Sequence, residues 1–139
     1  MNDARPPRQA VRTLQPRKRI ALIAHDGKKD ALVEFVRANQ AWFERFALVG
    51  TGTTGRRIAE LGVAIERLAS GPLGGDAQIA ARITEGAVHA VIFFRDPMGK
   101  HPHEPDINML LRQCDVHDIP LATNAASASL LIGSHAFGS

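Results

Sequence analysis

Short blocks of uninterrupted apolar residues alternate along this chain with stretches in which apolar residues return every three or four positions. The clearest blocks are Ile20-Ala21-Leu22-Ile23-Ala24, Phe46-Ala47-Leu48-Val49 and Ala90-Val91-Ile92-Phe93-Phe94. Runs this short, without polar alternation, fit strands covered on both faces, as in a parallel sheet. Residues 64–68 and 119–122 are two weaker strand candidates. Helical spacing occupies the intervals. It predicts helices over 29–39 (Ala31, Leu32, Phe35, Val36), 54–61, 76–85 (Ile79, Ala80, Ile83), 106–117 (Ile107, Leu110, Leu111, Cys114) and 125–132. Gly86 stands just past the third of these, where a left-handed residue ends many helices. Strand and helix alternate throughout, which predicts an α/β domain around a mainly parallel five-stranded sheet.

In parallel α/β sheets ligands bind outside the carboxyl ends of the strands. That rule gathers the polar motifs of this sequence. His25 and Asp26 follow the first strand, and Gly50-Thr51-Gly52-Thr53-Thr54-Gly55 ends the second. Ser70-Gly71-Pro72-Leu73-Gly74-Gly75-Asp76 follows the third. A proline- and histidine-rich loop over 95–105 follows the fourth, and Thr123-Asn124 follows the fifth. All five therefore belong to one rim.

Length and composition narrow the class. The chain has 139 residues, 45% hydrophobic and 22% charged, which suits one globular domain. No apolar run is long enough to span a bilayer, and the N-terminus has no signal-peptide pattern, so the chain reads as cytoplasmic. The single cysteine, Cys114, has no intrachain disulfide partner and reads as a buried helix residue. The formal charge of +3 is unevenly spread. Residues 1–19 hold Arg5, Arg8, Arg12, Arg17, Lys18 and Arg19 against Asp3 alone, whereas residues 20–139 carry 11 basic and 13 acidic side chains. The basic segment also contains Pro6, Pro7 and Pro16, so residues 1–18 read as a disordered extension and residues 19–139 as the domain. With no tyrosine and 5% aromatic residues, the chain has little to stack on bases, and a nucleic-acid partner is not expected.

The rim motifs admit sharp and plain readings. Gly50 to Gly55 matches a dinucleotide-binding pattern literally. It lies, however, at the second strand–helix turn, and Glu60 and Glu66 follow too soon to be the expected ribose-binding acid. The favoured reading is a phosphate cradle, in which the hydroxyls of Thr51, Thr53 and Thr54 join backbone N–H groups at a helix N-terminus. Lys29 adds a cation. The glycine-rich lead to Asp76 leaves room for a ligand to approach the backbone, so Asp76 reads as a general base; its plain reading is a helix cap. The segment with Asp96, His101, His103, Glu104 and Asp106 is dense in titratable groups suited to proton transfer. A metal site is the rival there, but the spacing fits no strong zinc pattern. Asp106 has a capping role as its plain alternative.

Together these motifs resemble the methylglyoxal synthases. The resemblance rests on Ile23-Ala24-His25-Asp26 with Lys29, Thr51-Gly52-Thr53-Thr54-Gly55, and Ser70-Gly71-Pro72-Leu73-Gly74-Gly75-Asp76. Phe93-Phe94-Arg95-Asp96-Pro97, Pro102-His103-Glu104-Pro105-Asp106 and Pro120-Leu121-Ala122-Thr123-Asn124 complete it, in register over residues 19–132. It implies a Rossmann-like three-layer α/β/α sandwich and conversion of dihydroxyacetone phosphate to methylglyoxal and inorganic phosphate, without metal or organic cofactor. By resemblance Asp76 is the general base, His103 contacts the substrate's carbonyl and hydroxyl oxygens, and Asp106 assists in proton transfer or in orienting the site. Lys29, Thr51, Gly52, Thr53, Thr54, Ser70 and Gly71 bind phosphate, His25 binds substrate at the mouth of the site, and Asp26 and Asp96 line it. The resemblance further implies a homohexamer and phosphate as product and inhibitor. Members of the family often carry a further C-terminal strand and helix tied to subunit contacts and regulation, and others are shorter; the resemblance therefore implies activity for this chain but not a regulatory path through that segment. A regulatory, non-catalytic domain of the same fold, as in carbamoyl phosphate synthetase, is the alternative; Asp76, His103 and Asp106 favour the enzyme, because a sensor needs no base on its rim.

Overall fold

The computed structural model describes residues 17–70, 74–99 and 107–133. Five strands form one sheet: β1 Arg19–Ala24, β2 Ala47–Thr51, β3 Glu66–Leu68, β4 Ala90–Phe94 and β5 Leu121–Ala122. Their order is β3-β2-β1-β4-β5 and every pairing is parallel, so the expected mainly parallel sheet is wholly so. Six α-helices connect or flank them: α1 Lys29–Ala38, α2 Gln40–Phe43, α3 Gly52–Ala59, α4 Gly75–Thr84, α5 Ile107–Val116 and α6 Ala125–Ile132. A 3-10 turn, Asp26–Lys28, links β1 to α1.

Alternation along each strand divides the core in two. Ile20, Leu22 and Ala24 of β1 join Leu48, Ile92 and Phe94 on one face, under Leu32, Val36, Phe43, Ile58 and Ala128 from α1, α2, α3 and α6. Ala21 and Ile23 join Val49, Val91 and Phe93 on the other, under Ile79, Ile83, Leu110 and Cys114 from α4 and α5. This is the three-layer α/β/α sandwich implied by the resemblance. Burial on both faces explains why β1 and β4 read as unbroken apolar runs. Burial also pushes the Cys114 thiol up to about 11, with Asp115 adding to the effect, so the side chain stays a protonated apolar filler.

Several element ends differ from the sequence reading. The helix expected over 29–39 stops at Ala38, and a separate short helix follows from Gln40. Asn39 makes this break by turning its amide back onto the Phe35 carbonyl. The second strand runs to Thr51, past the expected end at Val49, and α3 begins two residues before the expected Thr54. The glycine-threonine motif is thus a strand end and a first helical turn, not a free loop. The third strand covers only Glu66–Leu68 of the expected 64–68, and the fifth only Leu121–Ala122 of 119–122. Gly86 takes the expected left-handed conformation (φ 76°). Its N–H donates to the Ile83 carbonyl, and Ala87 N–H to Arg82, which closes α4. The expected N-terminal extension lies, apart from residues 17 and 18, outside the described residues.

The start of β1 depends on a histidine that sequence analysis passed over. Arg19 N–H donates to His89 Nδ1 at 2.9 Å, and His89 N–H donates to the Arg19 carbonyl at 2.8 Å. The first bond requires an unprotonated Nδ1. Burial holds the imidazole below its ordinary value of 6.5, and the neighbouring charges of Lys18 and Arg19 lower it further. A histidine depressed in the folded state stabilises the fold fully above that ordinary value and loses its contribution as pH falls through the lowered one. Thermal unfolding followed from pH 7.5 to 5 should therefore show Tm falling in the acid half of the range. In His89→Gln that fall should be shallower.

Candidate functional site

Because all strands are parallel, every strand-to-helix turn leaves from the same edge of the sheet. The rim residues follow the strand order: Ser70 after β3, Thr51 and Thr53 at the end of β2, His25 after β1, Asp96 after β4, and Thr123-Asn124 after β5. The connection direction reverses between β1 and β4, the switch point at which such sheets open a crevice.

At this switch point His25 and Asp96 meet. His25 is 6% exposed. Its Nδ1 accepts the Asp96 backbone N–H at 2.9 Å, and the His25 backbone N–H donates to the Phe94 carbonyl at 3.0 Å. The ring stands edge-on to Phe93, 5.1 Å between centroids. Accepting at Nδ1 puts the neutral ring's proton on Nε2. His25 thus lies at the junction of β1 and β4. The Asp96 carboxylate accepts Met98 N–H at 3.0 Å and lies over Gly27, where any β-carbon would collide with it. Asp26 opens the 3-10 turn, and its carboxylate receives Lys29 Nζ at 2.8 Å. Lys29 is the first residue of α1, as the expected start of that helix at 29 has it, and its side chain is 23% exposed.

The second and third turns are interlocked through backbone. Gly52 has φ 45°, and a β-carbon there would lie 2.9 Å from both Cα and Cβ of Ser70. Gly75 N–H donates to the Ser70 carbonyl at 2.8 Å, and a β-carbon on Gly75 would collide with the Ala69 carbonyl. Ser70 is therefore clamped between two glycines. The glycine before Asp76 makes room for the chain itself rather than for a ligand.

Around this clamp lies a cavity of about 450 Å³ lined by Gly52, Thr53, Arg56, Arg67, Leu68 and Ser70. Thr53 faces it from the first turn of α3, whose unpaired N–H groups and dipole suit an anion. Thr51 and Thr54 are buried, and among the described residues Thr54 Oγ1 has no hydrogen-bond partner. Asp76 is the second residue of α4 and half-buried; the N-cap position belongs to Gly74, at φ 98°. The carboxylate accepts the Ala77 N–H at 2.9 Å.

The structure therefore joins Thr53, Gly52 and Ser70 at one cavity and His25 with Asp96 and Gly27 at the switch point. Lys29 does not line that cavity and is held by Asp26 instead. Gly71, His103 and Asp106 lie outside the described residues, as does His101. Among the described residues no three His, Cys, Asp or Glu side chains come together as metal ligands. Sequence reasoning missed Arg56 and Arg67. The signal was the alternation of Glu66 and Arg67 on an edge strand, which sends them to opposite faces. It also missed a cavity of about 440 Å³ lined by Lys28, Phe94, Arg95, Thr123 and Asn124 on the α1–α6 side of the rim.

Known proteins give this rim its context. Residues 31–123 match the MGS-like domain. The chain is 56% identical over 120 residues to a methylglyoxal synthase of Cupriavidus taiwanensis, covering 86% of this chain and 90% of that one. It is 55% identical over 115 residues to one from Clostridium botulinum, covering 82% and 97%. The crystal structure of methylglyoxal synthase from Elizabethkingia anophelis superposes with a TM-score of 0.85 at 42% identity, over 89% of this chain and 83% of that one. The chain belongs to the methylglyoxal synthase family.

Proposed function

We propose that this chain is a carbon–oxygen lyase that converts dihydroxyacetone phosphate to methylglyoxal and inorganic phosphate. The observation that carries this reading is the 56% identity to a methylglyoxal synthase across 86% of the chain. The non-catalytic alternative is not favoured by such relatives. The described rim supports a division of labour. Thr53 and Ser70 at the cavity, with Gly52, Thr51, Thr54 and Gly71 of the same turns, hold the phosphate, and Lys29 adds positive charge. Asp76 takes a proton from the hydroxymethyl carbon next to the ketone.

That proton is far too weakly acidic for a carboxylate acting alone. The electron pair left behind must pass into an enediolate, whose oxygens need donors aimed at them; each is worth about 3 kcal/mol where water is excluded. His103 supplies one in this reading, Asp106 helps move the proton, and the Nε2 proton of His25 serves the same polar crevice. Asp26 and Asp96 set the positions of Lys29 and His25. The enediolate then expels phosphate as its C–O bond breaks, and the resulting enol tautomerises to methylglyoxal. The sum is an elimination and a proton shift with no net oxidation, so a redox cofactor has no part in it. By the same resemblance the chain works in the cytoplasm as a homohexamer and is inhibited by its product phosphate. Exposed Val116 and Leu130 suit subunit contact.

The test is to incubate the chelator-treated protein with dihydroxyacetone phosphate and follow methylglyoxal and phosphate together. Equal release of both is expected. Phosphate alone would mean a phosphatase, and ligand binding without product would mean a sensor.

Two substitutions divide the roles. Asp76→Asn should lower kcat about 1,000-fold or more, the scale of a lost general base, while circular dichroism and phosphate binding stay near normal. Near-normal turnover would remove Asp76 from the reaction. Thr53→Val should raise KM and the inhibition constant of phosphate together by about 10-fold, the cost of a lost hydrogen bond to an anion. Unchanged constants would remove the cradle.

A further inference from the structure

Two arginines, Arg56 and Arg67, line the cavity beside Ser70. Arg67 is the middle residue of β3, and its neighbour Glu66 leaves the strand toward α4, where Arg82 grips it with two hydrogen bonds of 3.0 and 2.6 Å. Alternation sends Arg67 to the opposite face, over the start of α3. Its stem crosses Gly55 so closely that a β-carbon there would lie 3.2 Å from Arg67 Cγ. The exposed Arg67 side chain has no hydrogen bond or ion pair among the described residues, although it lines the cavity. Arg56 lines it too, three residues after Thr53 and hence on the same face of α3. The partner of Arg56 is Glu60, one turn on, in an exposed pair at 3.1 Å that an incoming anion can displace.

Volume and charge agree. The depression is broad and open to solvent, about 450 Å³, so two adjacent phosphoryl groups meet no wall between Ser70 and the arginines. Two guanidiniums, always charged and forked, match pairs of phosphoryl oxygens in a way that lysines do not. We propose that Arg67 and Arg56 form an outer anion subsite adjoining Thr53 and Ser70, so that the site binds condensed phosphates with two adjacent phosphoryl groups in preference to monophosphates. The inference rests on reading Thr53 and Ser70 as the inner phosphate cradle. One phosphoryl group occupies that cradle and the second faces the arginines. A ligand so bound fills the place of the substrate phosphate, so it inhibits competitively and ties the activity to the supply of condensed phosphate.

The experiment compares inhibition constants of pyrophosphate and inorganic phosphate against dihydroxyacetone phosphate turnover, at low ionic strength, with calorimetric titration of both anions as a second readout. The quantity read is the ratio of the two constants, which is insensitive to any change in basal activity. The wild-type protein should bind pyrophosphate about 10-fold or more tightly than phosphate, the gain expected of a charge-assisted pair. Added salt should shrink the ratio. Arg67→Gln should bring it close to one, Arg56→Gln should lower it in part, and Arg67→Lys should restore part of it. Equal constants in the wild-type protein, or an unchanged ratio in Arg67→Gln, would overturn the subsite. Thr53→Val separates the two readings: it should weaken both anions alike and keep the ratio. Phosphate binding unaffected by Thr53→Val would overturn the inner cradle, whatever the ratio does.

Discussion

Everything in this fold hangs on β1. It is paired on both edges, with β2 and β4, and its residues Ile20 to Ile23 are wholly inaccessible on both faces. A strand so enclosed has no edge or face left for water, and here its neighbours are parallel strands returned by covering helices. Parallel pairing in turn forces each turn leaving a strand onto the same edge. The concentration of polar motifs on one rim is therefore a consequence of how an apolar pentapeptide is buried. The reversal of strand order beside β1 then opens the crevice in which His25 and Asp96 meet.

Backbone proximity is the second constraint. Ser70 fits between Gly52 and Gly75 because neither has a side chain, and the pairing of β2 with β3 through Val49–Glu66, Gly50–Arg67 and Thr51–Leu68 sets the height at which the two turns meet. The same geometry brings Gly52, the first residue of α3, and Gly75, the first residue of α4, against the Ala69–Ser70 backbone. The dipole of each helix favours negative charge at its own N-terminus. An aspartate on the first turn of α4 is favoured by that field as well, which makes the position of Asp76 electrostatically compatible with the fold before any catalytic role is considered.

Much of this was legible from apolar patterning. β1 and β4 were plain because burial on two faces leaves no polar alternation to misread, and α4 was plain because Ile79, Ala80 and Ile83 keep helical spacing up to Gly86. The ends were less legible. Nothing in the spacing of Thr51, Gly52 and Thr53 separates a loop from a strand end followed at once by a helix, because Gly52 supplies a left-handed residue compatible with either. The rim was legible as a list of turns, but not as contacts. That Lys29 turns to Asp26, or that His25 Nδ1 accepts the Asp96 N–H, depends on rotamers and on strand register. Arg67 escaped notice because an exposed arginine on an edge strand is ordinary until the neighbouring face is known to contain Thr53 and Ser70.

The distribution of charge along the rim bears on how a lyase differs from an isomerase working on the same triose phosphate. Both form an enediolate; only the lyase must break the bond to phosphate. In an isomerase the phosphate is an anchor, held so that its C–O bond lies near the plane of the enediolate and cannot be expelled. In a lyase that bond must align with the π system, and charge accumulating on the departing oxygen must be met by donors already in place. On this rim the donors gather around Thr53, Ser70 and the N-terminus of α3, with Arg56 and Arg67 beyond them, while Asp76 stands on the next turn. In the proposed reading the phosphate is pulled from one side as the proton is taken on another. In that reading the contacts that stabilise the leaving group are the same contacts that hold free phosphate, which is why product inhibition belongs to the proposal and not to a separate site.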